Sequence, residues 1–205
     1  MKKIKFILGS LAVVAMLATV SCNKDEGTTP DPEPEKKDGA VLVNELMSKD
    51  TLGLVYTDPM GDNADWSEFY NPGEKDINIG GYFIGDDGEN TAEADKYEIP
   101  SDNAAATTIK AKGYLVIVWG AADANGNDME GIINDTIFCP SSLSAKKDKA
   151  VAIWDASGKF VDESEDFTAN GPFGKLEDGK SLGRETDGST TWKVFDIATP
   201  GTKNQ

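Results

Sequence analysis

The chain contains no histidine among its 205 residues. The Ser-His-Asp and Cys-His nucleophile systems of hydrolases depend on an imidazole base, so the sequence excludes both of these catalytic systems. Most catalytic zinc sites also use at least one histidine ligand. An enzyme of this composition would have to use carboxylate chemistry, lysine chemistry or a metal bound by oxygen ligands.

The N-terminal apolar run is too short to span a membrane. Residues 7–20 form a run of 14 residues, whereas a spanning helix needs about 20. Lys2 and Lys3 precede this run and Cys22 follows it, which is the order of a secretory signal. A cysteine at the cleavage position resembles the lipobox of bacterial lipoproteins. The resemblance implies a signal peptide over residues 1–21 and an acylated Cys22 as the first mature residue; an uncleaved anchor helix is the alternative.

A lipid on Cys22 would also determine where the protein works. Each buried methylene contributes about 0.8 kcal/mol, so two or more acyl chains hold a protein stably on a bilayer. The sequence NKDE at residues 23–26 resembles the surface-export signal of some Gram-negative lipoproteins. The expected location is the outer membrane or cell surface of a Gram-negative bacterium.

Basic residues are few. The chain has 20 Lys and Arg against 36 Asp and Glu, and its formal net charge is -16. Removal of residues 1–21 takes away three lysines and no acid, which brings the charge to -19. Such a surface repels nucleic acid phosphates, so no nucleic acid partner is expected.

A tether and one domain account for the rest of the chain. Residues 22–39 are rich in proline and charge and cannot bury a core, which predicts an extended tether. Residues 40–205 have the length of a single folded domain. With Cys22 acylated, Cys139 has no intrachain partner, and we expect it to be a buried apolar side chain.

The pattern from residue 40 onward predicts strands. Short segments rich in β-branched and aromatic residues alternate with turn residues, and none shows a helical period over ten residues or more. The predicted strands lie in residues 40–47, 65–71, 76–87 with a break at Gly80 and Gly81, 96–100, 114–120, 150–155, 159–162 and 191–196. This organisation is typical of an all-β sandwich or barrel.

Several blocks, taken in order, resemble the lamin tail domain family. They are VNELM at residues 43–47, DWSEFYNP at 65–72, AKGYLV at 111–116, SLGR at 181–184 and ATPGTKN at 198–204. The resemblance implies an immunoglobulin-like β-sandwich of about seven to nine strands. It also implies an interaction module with no shared catalytic residues.

Arg184 lies inside one of these blocks, near the C-terminus. Its planar guanidinium suits a bidentate clamp on a carboxylate. We expect Arg184 to pin the C-terminal strands.

One acidic segment is a candidate calcium loop. Asp123, Asn125 and Asn127 occupy alternate positions, as the oxygen ligands of EF-hand loops do, and Asp128 is close by. Asp128 stands where such loops have glycine, and Asn134 stands where they have glutamate. The alternative is an ordinary surface turn, which Asn, Asp and Gly favour for backbone reasons.

Glu45 and Glu68 form a second candidate site. A pair of carboxyl groups about 5 Å apart is the arrangement of a retaining glycosidase. Both acids also lie in short, largely apolar strands, where a hydrogen-bonded structural acid explains them equally well.

Three functional hypotheses follow. The first is a non-enzymatic module, lipid-anchored at the surface, that binds a protein or a polysaccharide. The second is a calcium-dependent carbohydrate-binding or adhesion protein that uses the loop at residues 123–130. The third is an enzyme that uses Glu45 and Glu68.

Overall fold

The computed structural model describes residues 40–205. Cys22, the predicted signal peptide and the predicted tether lie outside the described residues. Within residues 40–205 the chain forms thirteen strands and two 3-10 helices, Gly88–Asn90 and Glu93–Asp95. The strands are β1 (Leu42–Met47), β2 (Asp65–Tyr70), β3 (Ile77–Asn78), β4 (Phe83–Gly85), β5 (Tyr97–Glu98), β6 (Thr108–Ile109), β7 (Tyr114–Trp119), β8 (Gly131–Ile133), β9 (Thr136–Cys139), β10 (Ala152–Trp154), β11 (Phe160–Glu163), β12 (Ser181–Arg184) and β13 (Trp192–Phe195).

The strands form two main sheets. The larger sheet has seven strands in the order β13-β12-β1-β2-β7-β9-β8, and the smaller has four in the order β11-β10-β4-β5. Strands β3 and β6 form a separate pair. The all-β, immunoglobulin-like fold class is confirmed. The strands outnumber the predicted seven to nine because several are only two or three residues long.

The hydrophobic core lies between the two main sheets. Val43 and Phe69 of the larger sheet and Ile84 and Ile153 of the smaller sheet are completely buried in one cluster. Burial of this kind contributes about 25 cal/mol per Å² of apolar surface and is the main stabilising contribution. Cys139 belongs to the same cluster, as expected, and burial raises the pKa of its thiol to about 12.

Ser67 is a polar residue in the buried part of β2. Its hydroxyl oxygen accepts a hydrogen bond of 2.8 Å from the indole Nε1 of Trp119 on the neighbouring strand. A buried indole N–H usually finds such a partner. Ser67 therefore supplies the hydrogen-bond acceptor that the buried indole N–H of Trp119 needs.

A hairpin turn at residues 155–158 joins β10 to β11. Asp155 Oδ1 accepts hydrogen bonds from the backbone N–H groups of Ser157 and Lys159. Gly158 follows with a φ of 80°, a conformation that glycine adopts at little cost. Side-chain capping and one glycine thus close the turn and set the register of the two strands.

The face of the larger sheet that is turned away from the core is also covered. Part of it lies under the segment between β1 and β2, where Tyr56 packs edge-on against Phe138 with ring centroids 4.9 Å apart. Another part lies under residues 198–205, which we call the C-terminal strap.

Residues 40–205 contain no helix long and apolar enough to cross a bilayer.

Candidate functional site

Glu45 and Glu68 lie side by side on this outer face. They are paired across β1 and β2, and both are completely buried. The register shifts between Val43 and Glu45, which makes Asn44 an extra residue in β1. This β-bulge brings Asn44 into contact with Glu68 as well.

Each oxygen of the two glutamates accepts a hydrogen bond from a structural donor. Glu68 Oε1 accepts from Asn44 Nδ2 at 2.8 Å, and Oε2 accepts from the backbone N–H of Gly201 at 2.6 Å. Glu45 Oε1 accepts from the hydroxyl of Ser181, and Oε2 accepts from the hydroxyl of Thr199 at 2.9 Å. Gly201 and Thr199 belong to the C-terminal strap, so both glutamates hold this strap on the sheet.

Asp187 is the third acid of the group, and we call Glu45, Glu68 and Asp187 the carboxylate cluster. Its Oδ1 accepts from Asn44 Nδ2 at 3.1 Å and from the backbone N–H of Asn204 at 3.2 Å. Its Oδ2 accepts from the hydroxyl of Tyr114 at 2.5 Å. The turn between β12 and β13 is thereby linked to the same strap.

Burial dominates the electrostatics of the cluster. It raises the pKa of Glu68 to about 8, because the charged form loses its hydration and the charges of Glu45 and Asp187 add to the effect. Hydrogen bonds from Asn44 and Gly201 offset only part of this shift. Burial also raises the pKa of Glu45, against hydrogen bonds from Ser181 and Thr199. Glu68 is therefore protonated at neutral pH.

This geometry is not that of an open glycosidase site. A glycosidase needs its two carboxyl groups on either side of a bound sugar. Here both glutamates lie beneath the strap, and their oxygens are engaged by protein donors. The arrangement fastens one part of the chain to another.

Arg184 fulfils its predicted structural role through a neighbouring set of contacts. Its Nη2 donates to Asp162 Oδ2 at 2.8 Å, and its Nε donates to the carbonyl oxygen of Val43 at 2.8 Å. Asp162 Oδ2 also accepts from the backbone N–H of Val43 at 2.9 Å. Because Asp162 lies on β11, Arg184 connects the two sheets. The clamp is made by one guanidinium nitrogen, not by two as the sequence predicted.

The candidate calcium loop is closed by its own hydrogen bonds. Asp123 Oδ1 accepts from the backbone N–H groups of Asn125 and Asn127, at 2.8 and 2.9 Å. Hydrogen bonds, chiefly from Asn127, hold the pKa of Asp123 down at about 2. Asp128 is exposed, and among residues 40–205 no group of three or more Asp, Glu or Cys side chains is placed to hold a metal ion. The loop has the contacts of an aspartate-capped turn.

We expect calcium to leave the melting temperature of the protein unchanged relative to EDTA. A ligand at 100 times its dissociation constant adds about 2.7 kcal/mol of stability, which a thermal melt detects easily. Asp155→Asn is the matched control for Asp123→Asn, because Asp155 caps its own turn in the same way. A calcium site at Asp123 would be established if calcium raised the melting temperature of the wild type and of Asp155→Asn but not that of Asp123→Asn.

Sequence reasoning missed two features. Asp187 completes the carboxylate cluster and accepts a hydrogen bond from the backbone N–H of Asn204, a residue that the sequence indicated only through its place in the block at 198–204. A cleft of about 520 Å³ lies elsewhere, lined by residues that include Asp86, Tyr97 and Asp148. Burial raises the pKa of both aspartates in this cleft.

Comparison with known proteins adds one match. The family model described as Lamin Tail Domain matches residues 35–167. The matched range extends through β11 and ends before β12. No curated protein matches the chain.

Proposed function

Because this chain belongs to the lamin tail domain family, we propose that it is a lipid-anchored, extracytoplasmic binding module without enzymatic activity. The family match indicates an immunoglobulin-like interaction module. The observation that carries the proposal further is the burial of Glu45 and Glu68. Acids that hold the C-terminal strap in place have a structural role. The sequence has no histidine, which disfavours the Ser-His-Asp and Cys-His catalytic systems.

The proposed anchor is a lipid on Cys22, and the proposed location is the outer membrane or cell surface of a Gram-negative bacterium. The order of a basic start, a short apolar run and a cysteine supports the anchor. The proline-rich and charged residues 23–39 would then let the domain stand away from the bilayer.

The proposed partner is a surface protein or a polysaccharide. A rigid sandwich that presents loops and a polar cleft suits binding. The net charge of -16 disfavours nucleic acid. A calcium-dependent adhesion protein gains no support from the loop at Asp123, because the carboxylate there is engaged by its own turn.

We expect Cys22→Ala to move the protein from the detergent phase to the aqueous phase in a partition assay, because the acyl chains are lost. Cys139→Ala is the matched control and should still partition with detergent.

The purified Cys22→Ala protein keeps residues 40–205 and should bind isolated surface polysaccharide or surface proteins of the same cell. Continued detergent partitioning would contradict the anchor, and absence of binding to both fractions would contradict the module.

A further inference from the structure

The C-terminal strap is attached largely through the carboxylate cluster. The backbone N–H groups of Thr199, Gly201 and Asn204 donate to Glu45, Glu68 and Asp187, respectively. A side-chain bond of 2.7 Å from Asn204 Nδ2 to the carbonyl oxygen of Arg184 adds to these contacts. The charge state of three acids therefore acts directly on the strap.

One buried acceptor beside the carboxylate cluster, on Asn44, has no donor. Asn44 is completely buried, and its Nδ2 already donates to both Glu68 and Asp187. Its Oδ1 is buried and has no hydrogen-bond partner. A buried acceptor without a donor costs about 1–3 kcal/mol. A proton on a carboxyl group supplies the kind of donor that this set of atoms lacks.

The groups that face Glu68 are acidic or neutral. Glu45 lies beside it on β1, and Asp187 approaches from the turn between β12 and β13; both act on it by charge repulsion. Tyr114 on β7 contributes a hydroxyl that donates to Asp187. Arg184 directs its guanidinium to Asp162 instead. Three ionised carboxylates in this setting would repel one another in a region of low dielectric constant.

We propose that a proton on Glu68 keeps the C-terminal strap closed, and that loss of this proton at alkaline pH releases residues 198–205 while the sandwich stays folded. Release brings Glu68 into water, where its carboxyl group ionises. This proposal does not depend on the anchor or on the partner proposed above.

Proton linkage determines the form of the pH dependence. In the closed state burial keeps the pKa of Glu68 at about 8. In the open state the solvated carboxyl has a pKa of about 4.3. Through Glu68 alone, opening releases one proton between these values. The equilibrium constant for opening of the strap should rise about tenfold per pH unit from about pH 5 to pH 8 and then level off.

Amide hydrogen exchange of the full protein, followed by NMR or mass spectrometry, tests the proposal. Protection factors, corrected for the intrinsic exchange rate at each pH, are measured for Thr199, Gly201 and Asn204. We expect them to fall about tenfold per pH unit between about pH 5 and pH 8. Ile153 in β10 serves as an internal reference and should remain more strongly protected than the strap at every pH. Strap protection that does not change with pH would overturn the proposal.

Two matched variants test the assignment to Glu68. Glu68→Gln is neutral at every pH, as the protonated acid is, so the protection of the strap should not change with pH in this range. Glu185→Gln removes the same charge from an exposed position and should behave like the wild type. A tenfold fall per pH unit that persists in Glu68→Gln would overturn the assignment. If Glu68→Gln does not fold, the pH dependence of strap protection in the wild-type protein still tests the proposal.

Discussion

Replacing Arg184 with methionine should lower the free energy of unfolding by about 3–5 kcal/mol. Arg184 is only 5% exposed, and its guanidinium binds a carboxylate on one sheet and a backbone carbonyl on the other. The substitution leaves Asp162, whose side chain is only 20% exposed, without its cation and leaves the carbonyl oxygen of Val43 without this donor. Breaking a buried pair by removing one partner costs far more than breaking a surface pair.

Urea unfolding at neutral pH measures this effect. Methionine retains an apolar stem of similar length against Trp192, over which the guanidinium now lies at 4.9 Å. Lys110→Met is the matched control, because it breaks the exposed ion pair with Asp76 and should leave the unfolding midpoint unchanged. Equal stability of Arg184→Met and Lys110→Met would show that Arg184 does not connect the sheets.

The domain should become less stable as the pH rises from about 5 to about 8. Burial raises the pKa of Glu68 to about 8, and burial raises that of Asp65 to about 7, against a backbone hydrogen bond from Leu143. The folded state therefore keeps protons that the unfolded chain has already released. Each such group lowers the free energy of unfolding by about 1.4 kcal/mol per pH unit within its own window.

At acidic pH the free energy of unfolding should change with pH in the opposite direction. Hydrogen bonds hold the pKa values of Asp76, Asp155 and Asp178 below normal. Their contribution is present above the unfolded value of about 3.9 and is lost as the pH falls below it. Stability should accordingly be greatest near about pH 4 to 5, between the two sets of groups.

Thermal melts across this range, followed by circular dichroism, check the prediction. The melting temperature should be higher at pH 5 than at pH 8, and Glu68→Gln should reduce the difference because it removes one of the titrating groups. A wild-type melting temperature that is highest at pH 8 would be incompatible with buried, protonated acids at these positions.

The sequence was sufficient for the fold class and for the strands with strong local signals. Residues 114–120 form the most apolar run, and β7 lies inside the larger sheet between β2 and β9. The turn at residues 155–158 carries its own capping aspartate and glycine. In both places short-range chemistry determines the structure, so a single sequence is informative.

Strands β8 and β9 were not predicted, and the reason is physical. Strand β9 pairs in parallel with β7, a contact between distant residues that no local turn specifies. The turn that joins β8 to β9 uses Asn134 and Asp135 at φ values of 50° and 62°, without a glycine. Such residues tolerate this conformation but signal it weakly.

The candidate site was only half predictable. Glu45 and Glu68 were identified as a pair, and β1 pairs with β2 as expected of neighbouring strands. Their other partners, Thr199 and Gly201, lie more than 130 residues away along the chain. Burial of the acids depends on this long-range closure by the strap. The choice between a catalytic and a structural pair therefore required the tertiary structure.

Titration of the Glu68 side-chain carboxyl by ¹³C NMR in the wild-type protein tests most directly whether these acids serve the fold. Burial beneath the strap predicts no transition near pH 4.5 and a single transition near pH 8. A midpoint of about 4.3, the value of a solvated glutamate, would place Glu68 in open water and contradict its structural role.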